Sequence, residues 1–131
     1  MEERNMSAKF FVCEHCGNLV GMVNDAGVPM MCCGQKMTEL VPNTVDASNE
    51  KHLPVVAKEG NTLNVKVGSV DHPMIPEHYI QWIYVELENG GMRKILKPET
   101  APAASFCLGA DDKAVAVYEY CNLHGLWKTA L

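Results

Sequence analysis

The placement of cysteine limits how this chain can fold more than any other feature. Four of its six cysteines come early, as Cys13-x-x-Cys16 and then, after a gap of fifteen residues, the adjacent pair Cys32-Cys33. A stretch of about 40 residues buries too little apolar surface to hold itself together and needs a cross-link or a bound ion. Disulfides within each pair would close very small loops, which gain little stability, so metal ligation is the better account. Four thiolates suit zinc or a single iron, and a two-iron cluster is also within reach of the donor set. A structural zinc knuckle is the plainest alternative. Neighbouring residues on an extended strand point to opposite faces, so Cys32 and Cys33 should strain the backbone if both meet one ion. Each pair is followed by a glycine, Gly17 or Gly34, which permits the tight turn that aims backbone N–H groups at sulfur. His15 reads as a solvated residue or a neighbour of the metal, since the site already has four donors.

A second set of donors is spread along the rest of the chain: His52, His72, His78, Cys121 and His124. The segment from His72 to His78 carries Pro73 and Pro76, which exclude a helix and make it a rigid loop. Cys121-Asn-Leu-His124-Gly125 is a compact knuckle directly after a predicted strand, a natural place for two ligands of one ion. His52 follows Glu50 and Lys51. Single histidines are usually structural or exposed, and only these surroundings single the four out. Four neutral imidazoles and one thiolate fill five positions around a metal and leave a sixth open for chemistry. Such a mixture suits iron, copper or zinc, but five strong donors exceed what zinc normally takes, which favours a redox metal.

Residues 38 to 49 read as a polar connection, placing the boundary between a domain 1–40 and a domain 41–131. In the first, Phe10-Phe11-Val12 and Leu19 to Val23 read as short strands. Beyond the boundary, Leu63, Val65 and Val67 alternate with polar residues, as do Ile83, Val85 and Leu87. Met92 to Lys97, Ser105 to Leu108 and Ala114 to Tyr120 are further candidate strands, separated by Gly, Pro and Asn punctuation. The fold expected is all-β: a metal-stapled small domain followed by an immunoglobulin-like β-sandwich. No amphipathic helix and no repeat is visible. Cys107, outside both donor sets, reads as a small buried residue of its strand.

Composition narrows the function classes. With 131 residues, 47% hydrophobic and 21% charged, the chain is of ordinary globular make-up. No run approaches the ~20 apolar residues of a membrane helix. The start, Met1-Glu2-Glu3-Arg4, is charged and unlike a secretory signal, so a cytoplasmic location with reduced thiols is expected. A net charge of -5 without a basic run argues against nucleic acid as a partner.

Taken in order, Cys13-Glu-His-Cys16-Gly-Asn, Cys32-Cys33-Gly, Glu50-Lys51-His52, His72-Pro-Met, Glu77-His78-Tyr-Ile and Cys121-Asn-Leu-His124-Gly-Leu-Trp127 resemble the desulfoferrodoxins, two-iron superoxide reductases. The resemblance spans about residues 8 to 131. It implies a desulforedoxin-like domain with a tetrathiolate iron on Cys13, Cys16, Cys32 and Cys33, and a catalytic domain of immunoglobulin type. There His52, His72, His78 and His124 would be equatorial ligands of a second mononuclear iron and Cys121 its axial thiolate. It further implies that Glu50 occupies the sixth position of the resting ferric iron, that Lys51 faces the incoming anion, and that the electron donor is rubredoxin-like. A homodimer is the family habit. Rival readings are a non-catalytic iron electron carrier, a structural zinc module that recruits a partner, and, among enzymes, a dismutase needing no external donor. The link of only three residues from Cys121 should force His124 to use Nδ1, while the other histidines are free to use Nε2.

Overall fold

The structure is a computed structural model that describes residues 8–131. The chain divides into two compact units, the first ending at Val41 and the second running from Pro42 to Leu131. Among the described residues no helix is long and apolar enough to cross a membrane.

The first unit is built from very short strands. Strand β1 (Phe10–Val12) is flanked by β2 (Leu19–Gly21) and β5 (Thr38–Glu39), both antiparallel to it, while β3 (Met31–Cys32) pairs with β4 (Gln35–Lys36). Its buried apolar residues are Phe10, Cys13 and Met37. So little apolar burial leaves the four thiols as the structural centre. Thr38 and Glu39, expected in a connection, form β5 instead. Strand pairing uses backbone groups, so two polar side chains do not prevent it, and the Leu40 N–H donates to the Phe10 carbonyl at 2.8 Å to extend the ladder.

The second unit is a sandwich of two antiparallel sheets. A one-turn helix α1 (Asn49–His52) leads into β6 (Pro54–Glu59), followed by β7 (Thr62–Val67), β8 (Ile80–Leu87), β9 (Gly90–Ile95), β10 (Ala103–Cys107), β11 (Ala114–Cys121) and β12 (Gly125–Ala130). The sheets run β10-β7-β6 and β12-β11-β8-β9. Alternation in β7 sends Leu63, Val65 and Val67 inward, where they meet Ile83, Val85 and Leu87 of β8, Phe106 of β10 and Val117 of β11. Truncating Phe106, fully buried in this layer, to alanine should cost about 3–5 kcal/mol.

Two strands, β6 and β12, were not evident from periodicity. Strand β6 begins with a proline and lies at a sheet edge, where a missing N–H is tolerated and where most of its residues stay exposed. Cys107 is exposed, contrary to the sequence expectation. Phe106 and Leu108 both point inward, so the period of two turns Cys107 out.

The sandwich gathers the ligand-bearing segments. Cys121 is the last residue of β11 and pairs with Ile80 at the start of β8, which brings the knuckle beside the loop ending at His78. The Thr129 hydroxyl donates to the Pro54 carbonyl at 2.7 Å, tying β12 to the start of β6, directly after α1.

Candidate metal centres

His52, His72, His78, Cys121 and His124 come together: one donor atom from each lies within 4.8 Å of every other. The hydrogen bonds decide which nitrogens face the centre. His52 Nδ1 lies 2.7 Å from the Ser48 carbonyl, and His72 Nδ1 lies 2.7 Å from the Pro73 carbonyl. A carbonyl only accepts, so each Nδ1 carries the proton and each Nε2 is a bare lone pair. Yet the two Nε2 atoms stand 3.2 Å apart, and His52 Nε2 stands 3.1 Å from His124 Nδ1. Between His52 and His72 there is no proton to share, so two lone pairs converge on one point. A cation satisfies that arrangement. Imidazole nitrogens ~2.1 Å from a common ion in a square have edges of about 3.0 Å, close to those seen. Nε2 of His78 is buried with no hydrogen-bond partner among the described residues, which a metal ligand's role would explain. Cys121 Sγ lies 3.4 Å from His72 Nε2.

The electrostatics agree. Burial, reinforced by mutual repulsion among the rings, holds His52, His72 and His78 below the ordinary imidazole value, His72 at about 4. These rings are therefore neutral at physiological pH, the form that ligates. Burial likewise pushes the Cys121 thiol up, so a cation beside it is needed to keep it a thiolate.

The site has a closed and an open side. Cys121 is fully buried. Asp46, Ala47, Ser48, Lys51, Pro73 and the four histidines line a pocket of about 250 Å³, and Cys121 is not part of that lining. The imidazoles thus lie between a buried thiol and an accessible pocket. Lys51 is in the lining, whereas Glu50 is exposed and outside it.

Gly68 shapes the turn that carries Glu50, Lys51 and His52. It has φ +87°, and a Cβ there would meet the carbonyl oxygens of Val70, Glu50 and Lys51 at 2.4, 2.8 and 2.8 Å. Only glycine allows this close approach.

In the first unit, Cys13, Cys16, Cys32 and Cys33 also have sulfurs within 4.8 Å of one another. The Cys16–Cys32 and Cys32–Cys33 sulfur separations are 3.6 and 3.9 Å. Thiolates ~2.3 Å from a tetrahedral ion have edges of about 3.8 Å, so the set fits. The adjacent pair converges because Cys33 takes φ +53°, which breaks the strand alternation and turns its thiol to the side of Cys32. Gly17 and Gly34 have φ +83° and +73°. A backbone N–H bond from Cys16 holds Cys13 down at about 6, while hydrogen bonding to neighbouring thiols, Cys16 first, pushes Cys33 up to about 12. Thiols so close cannot all ionise without a cation between them. His15 is exposed.

Three residues beside the histidine site had no role assigned from sequence. Trp127 stacks on the His52 ring, with centroids 4.9 Å apart, and its Nε1 donates to the His124 carbonyl at 3.0 Å. Glu119, two residues before Cys121, is wholly buried with neither carboxyl oxygen partnered among the described residues. Asn122 bonds across to the His78 loop. A polar residue between two ligands was the available signal for Asn122; strand alternation, which places Glu119 on the same face as Cys121, was the signal for the glutamate.

The desulfoferrodoxin family profile matches residues 44–130. The desulfoferrodoxin of Nitratidesulfovibrio vulgaris is 44% identical over 120 residues, covering 92% of this chain and 94% of that protein. A desulfoferrodoxin homolog from Archaeoglobus fulgidus is 44% identical over 119 residues, covering 91% and 94%. Among solved structures, the superoxide reductase from Treponema pallidum aligns with TM-score 0.80 and 42% identity over 94% of this chain and 98% of that one.

Proposed function

The chain belongs to the desulfoferrodoxin family, and on that premise we propose that it is a superoxide reductase whose catalytic iron is held by His52, His72, His78, His124 and Cys121. The reaction is one superoxide, one electron and two protons to one hydrogen peroxide. The observation that carries this reading is the asymmetry of the site: a buried thiol on one side of four imidazoles and an open, lysine-bearing pocket on the other. An electron carrier has no use for such a pocket, because outer-sphere transfer needs no substrate position.

Iron held by these five residues would supply a one-electron reductant, its potential tuned by the Cys121 thiolate. The chain does the rest. His52 and His72 are locked in the ligating tautomer by the Ser48 and Pro73 carbonyls, so little reorganisation is needed when the charge at the centre changes. Lys51 places a cation in the pocket lining and draws in the anionic substrate. The pocket's openness gives water access for the two protons and an exit for peroxide. Glu50 sits on the same turn as Lys51 but outside the pocket, so its carboxylate would act at the site only if that turn rearranged.

We assign Cys13, Cys16, Cys32 and Cys33 as ligands of the second, tetrathiolate iron, which staples a desulforedoxin-like unit with little core of its own. Residues 1–40 then form the tetrathiolate domain and 41–131 the catalytic one. The external donor is a rubredoxin-like protein, the working form a homodimer, and the location cytoplasmic. Metal analysis combined with stopped-flow mixing of the reduced protein and superoxide tests the reading: two irons per chain and rapid oxidation of the histidine site are expected. A chain with only zinc, or an iron site inert to superoxide, would refute it.

A further inference from the structure

The four imidazoles are not held alike. The rings of His52 and His72 are each fixed by a carbonyl, and His124 is fixed by its short link to Cys121 and by the Trp127 bond to its own carbonyl. Among the described residues no carbonyl bond of that kind fixes the His78 ring, and its Nε2 faces the other donors unpartnered. Its loop is closed internally, the Ile75 N–H donating to the His78 carbonyl at 3.1 Å and the His78 N–H to the Ile75 carbonyl at 3.0 Å. Those two bonds set the shape of the loop but not its aim toward the other donors.

Asn122 supplies the aim. Its Oδ1 accepts the Tyr79 N–H at 2.9 Å and its Nδ2 donates to the Glu77 carbonyl at 3.0 Å. Its own backbone N–H donates to the Tyr79 carbonyl at 3.2 Å. The three bonds grip the residues on either side of His78 and anchor them to the residue that follows Cys121. A planar amide is suited to this because it offers one acceptor and one donor from a single short stem, matching an N–H and a carbonyl two residues apart. Aspartate keeps the acceptor but sets a carboxylate oxygen against the Glu77 carbonyl, and alanine removes both bonds.

We propose that Asn122 is the positioning residue for His78, fixing the distance between the His78 imidazole and the Cys121–His124 knuckle and thereby completing the donor set. This rests on the reading of the five residues as one metal site. Groups that orient a ligand typically change metal affinity by about 10- to 100-fold when removed, and that is the loss expected here.

The test is a double-mutant cycle on the full chain, with Co(II) as the probe. The four-cysteine site is first filled with Zn(II), and Co(II) is then titrated into the histidine site against a chelator and followed by its visible absorption. Asn122→Ala and the near-isosteric Asn122→Asp should each weaken Co(II) binding by about 10- to 100-fold. In a His78→Ala background, Asn122→Ala should change the affinity by less than about 3-fold, because the residue it positions is gone. Melting curves of all variants with zinc in the four-cysteine site and no cobalt establish that each is folded. An equal loss with and without His78, or unchanged affinity in both single variants, would overturn the proposal and leave Asn122 a structural bond. If the parent fails to take up Co(II) after the zinc site is filled, the metal-site reading falls first and this inference with it.

Discussion

Gly68→Ala should damage the catalytic site from a position that is neither ligand nor pocket lining. A Cβ at this residue would lie 2.4 Å from the Val70 carbonyl oxygen and 2.8 Å from those of Glu50 and Lys51, whereas ordinary contact begins near 3.4 Å. Relief requires the backbone to move by roughly 1 Å, since no flexible side chain can yield. That movement breaks the Val70 N–H bond to the Glu50 carbonyl, now 3.0 Å, and the Gly68 N–H bond to the Leu53 carbonyl, now 3.1 Å. Each bond contributes about 1 kcal/mol, and holding alanine at positive φ costs about 1–2 kcal/mol more, for a total of about 3–4 kcal/mol. In a unit of this size that lowers Tm by at least about 12 °C. Because the displaced turn carries Lys51 and His52, a shift of about 1 Å should also slow superoxide reduction by on the order of 100-fold. Calorimetry and pulse radiolysis of the iron-loaded variant measure both. A variant with the parent's Tm and the parent's second-order rate would show that the crowding at Gly68 does not hold the ligand turn.

Lys51→Ile should slow superoxide capture by on the order of ten-fold or more and flatten its salt dependence, because a cation ~4 Å from the anion contributes up to about 4 kcal/mol at an effective dielectric of 20 while distant carboxylates are screened. Glu50→Ala should spare that step and alter the spectrum of the oxidised protein instead; pulse radiolysis at several ionic strengths and visible absorption read the two. Cys121→Ser should abolish the sulfur-to-iron charge-transfer band of the oxidised histidine site, and an unchanged band would mean that Cys121 does not bind the iron. Glu119 titrates well above the ordinary carboxylate range because it is buried. The unfolded chain therefore loses that proton at a pH where the folded chain keeps it, and stability falls as pH rises past about 4.3. Glu119→Gln should gain stability over the parent from pH 5 to 7, a gain that vanishes toward pH 4; parallel urea-unfolding profiles would contradict this.

Several parts of the fold legible in the sequence have one buried face, although β9, mostly exposed, is legible from the turn before it, and β12, partly buried, is not. Strand β7 alternates cleanly in both sequence and burial, and β8 and β11 are long and apolar enough to stand out. Strands β5 and β6 could not be read, since both are mostly exposed and are held by backbone pairing that leaves no hydrophobic period. Cys107 departs from cysteine's usual preference for burial because Phe106 and Leu108 take the inward positions of its strand. The donors themselves were visible because cysteine and histidine are scarce and grouped, but what supports them was not. The Ser48 and Pro73 carbonyls, Gly68 and Asn122 act through backbone geometry, and a sequence does not display which carbonyl a ring will meet.

The most direct test of the central claim is the stoichiometry of the reaction with superoxide. The fully reduced protein is mixed rapidly with a sub-stoichiometric amount of superoxide, and peroxide, dioxygen and the oxidation state of the histidine-site iron are measured together. Reduction at this site predicts one peroxide formed and one iron oxidised for each superoxide consumed, with no dioxygen released. Half a peroxide and half a dioxygen per superoxide, with the iron still reduced at the end, would contradict the account.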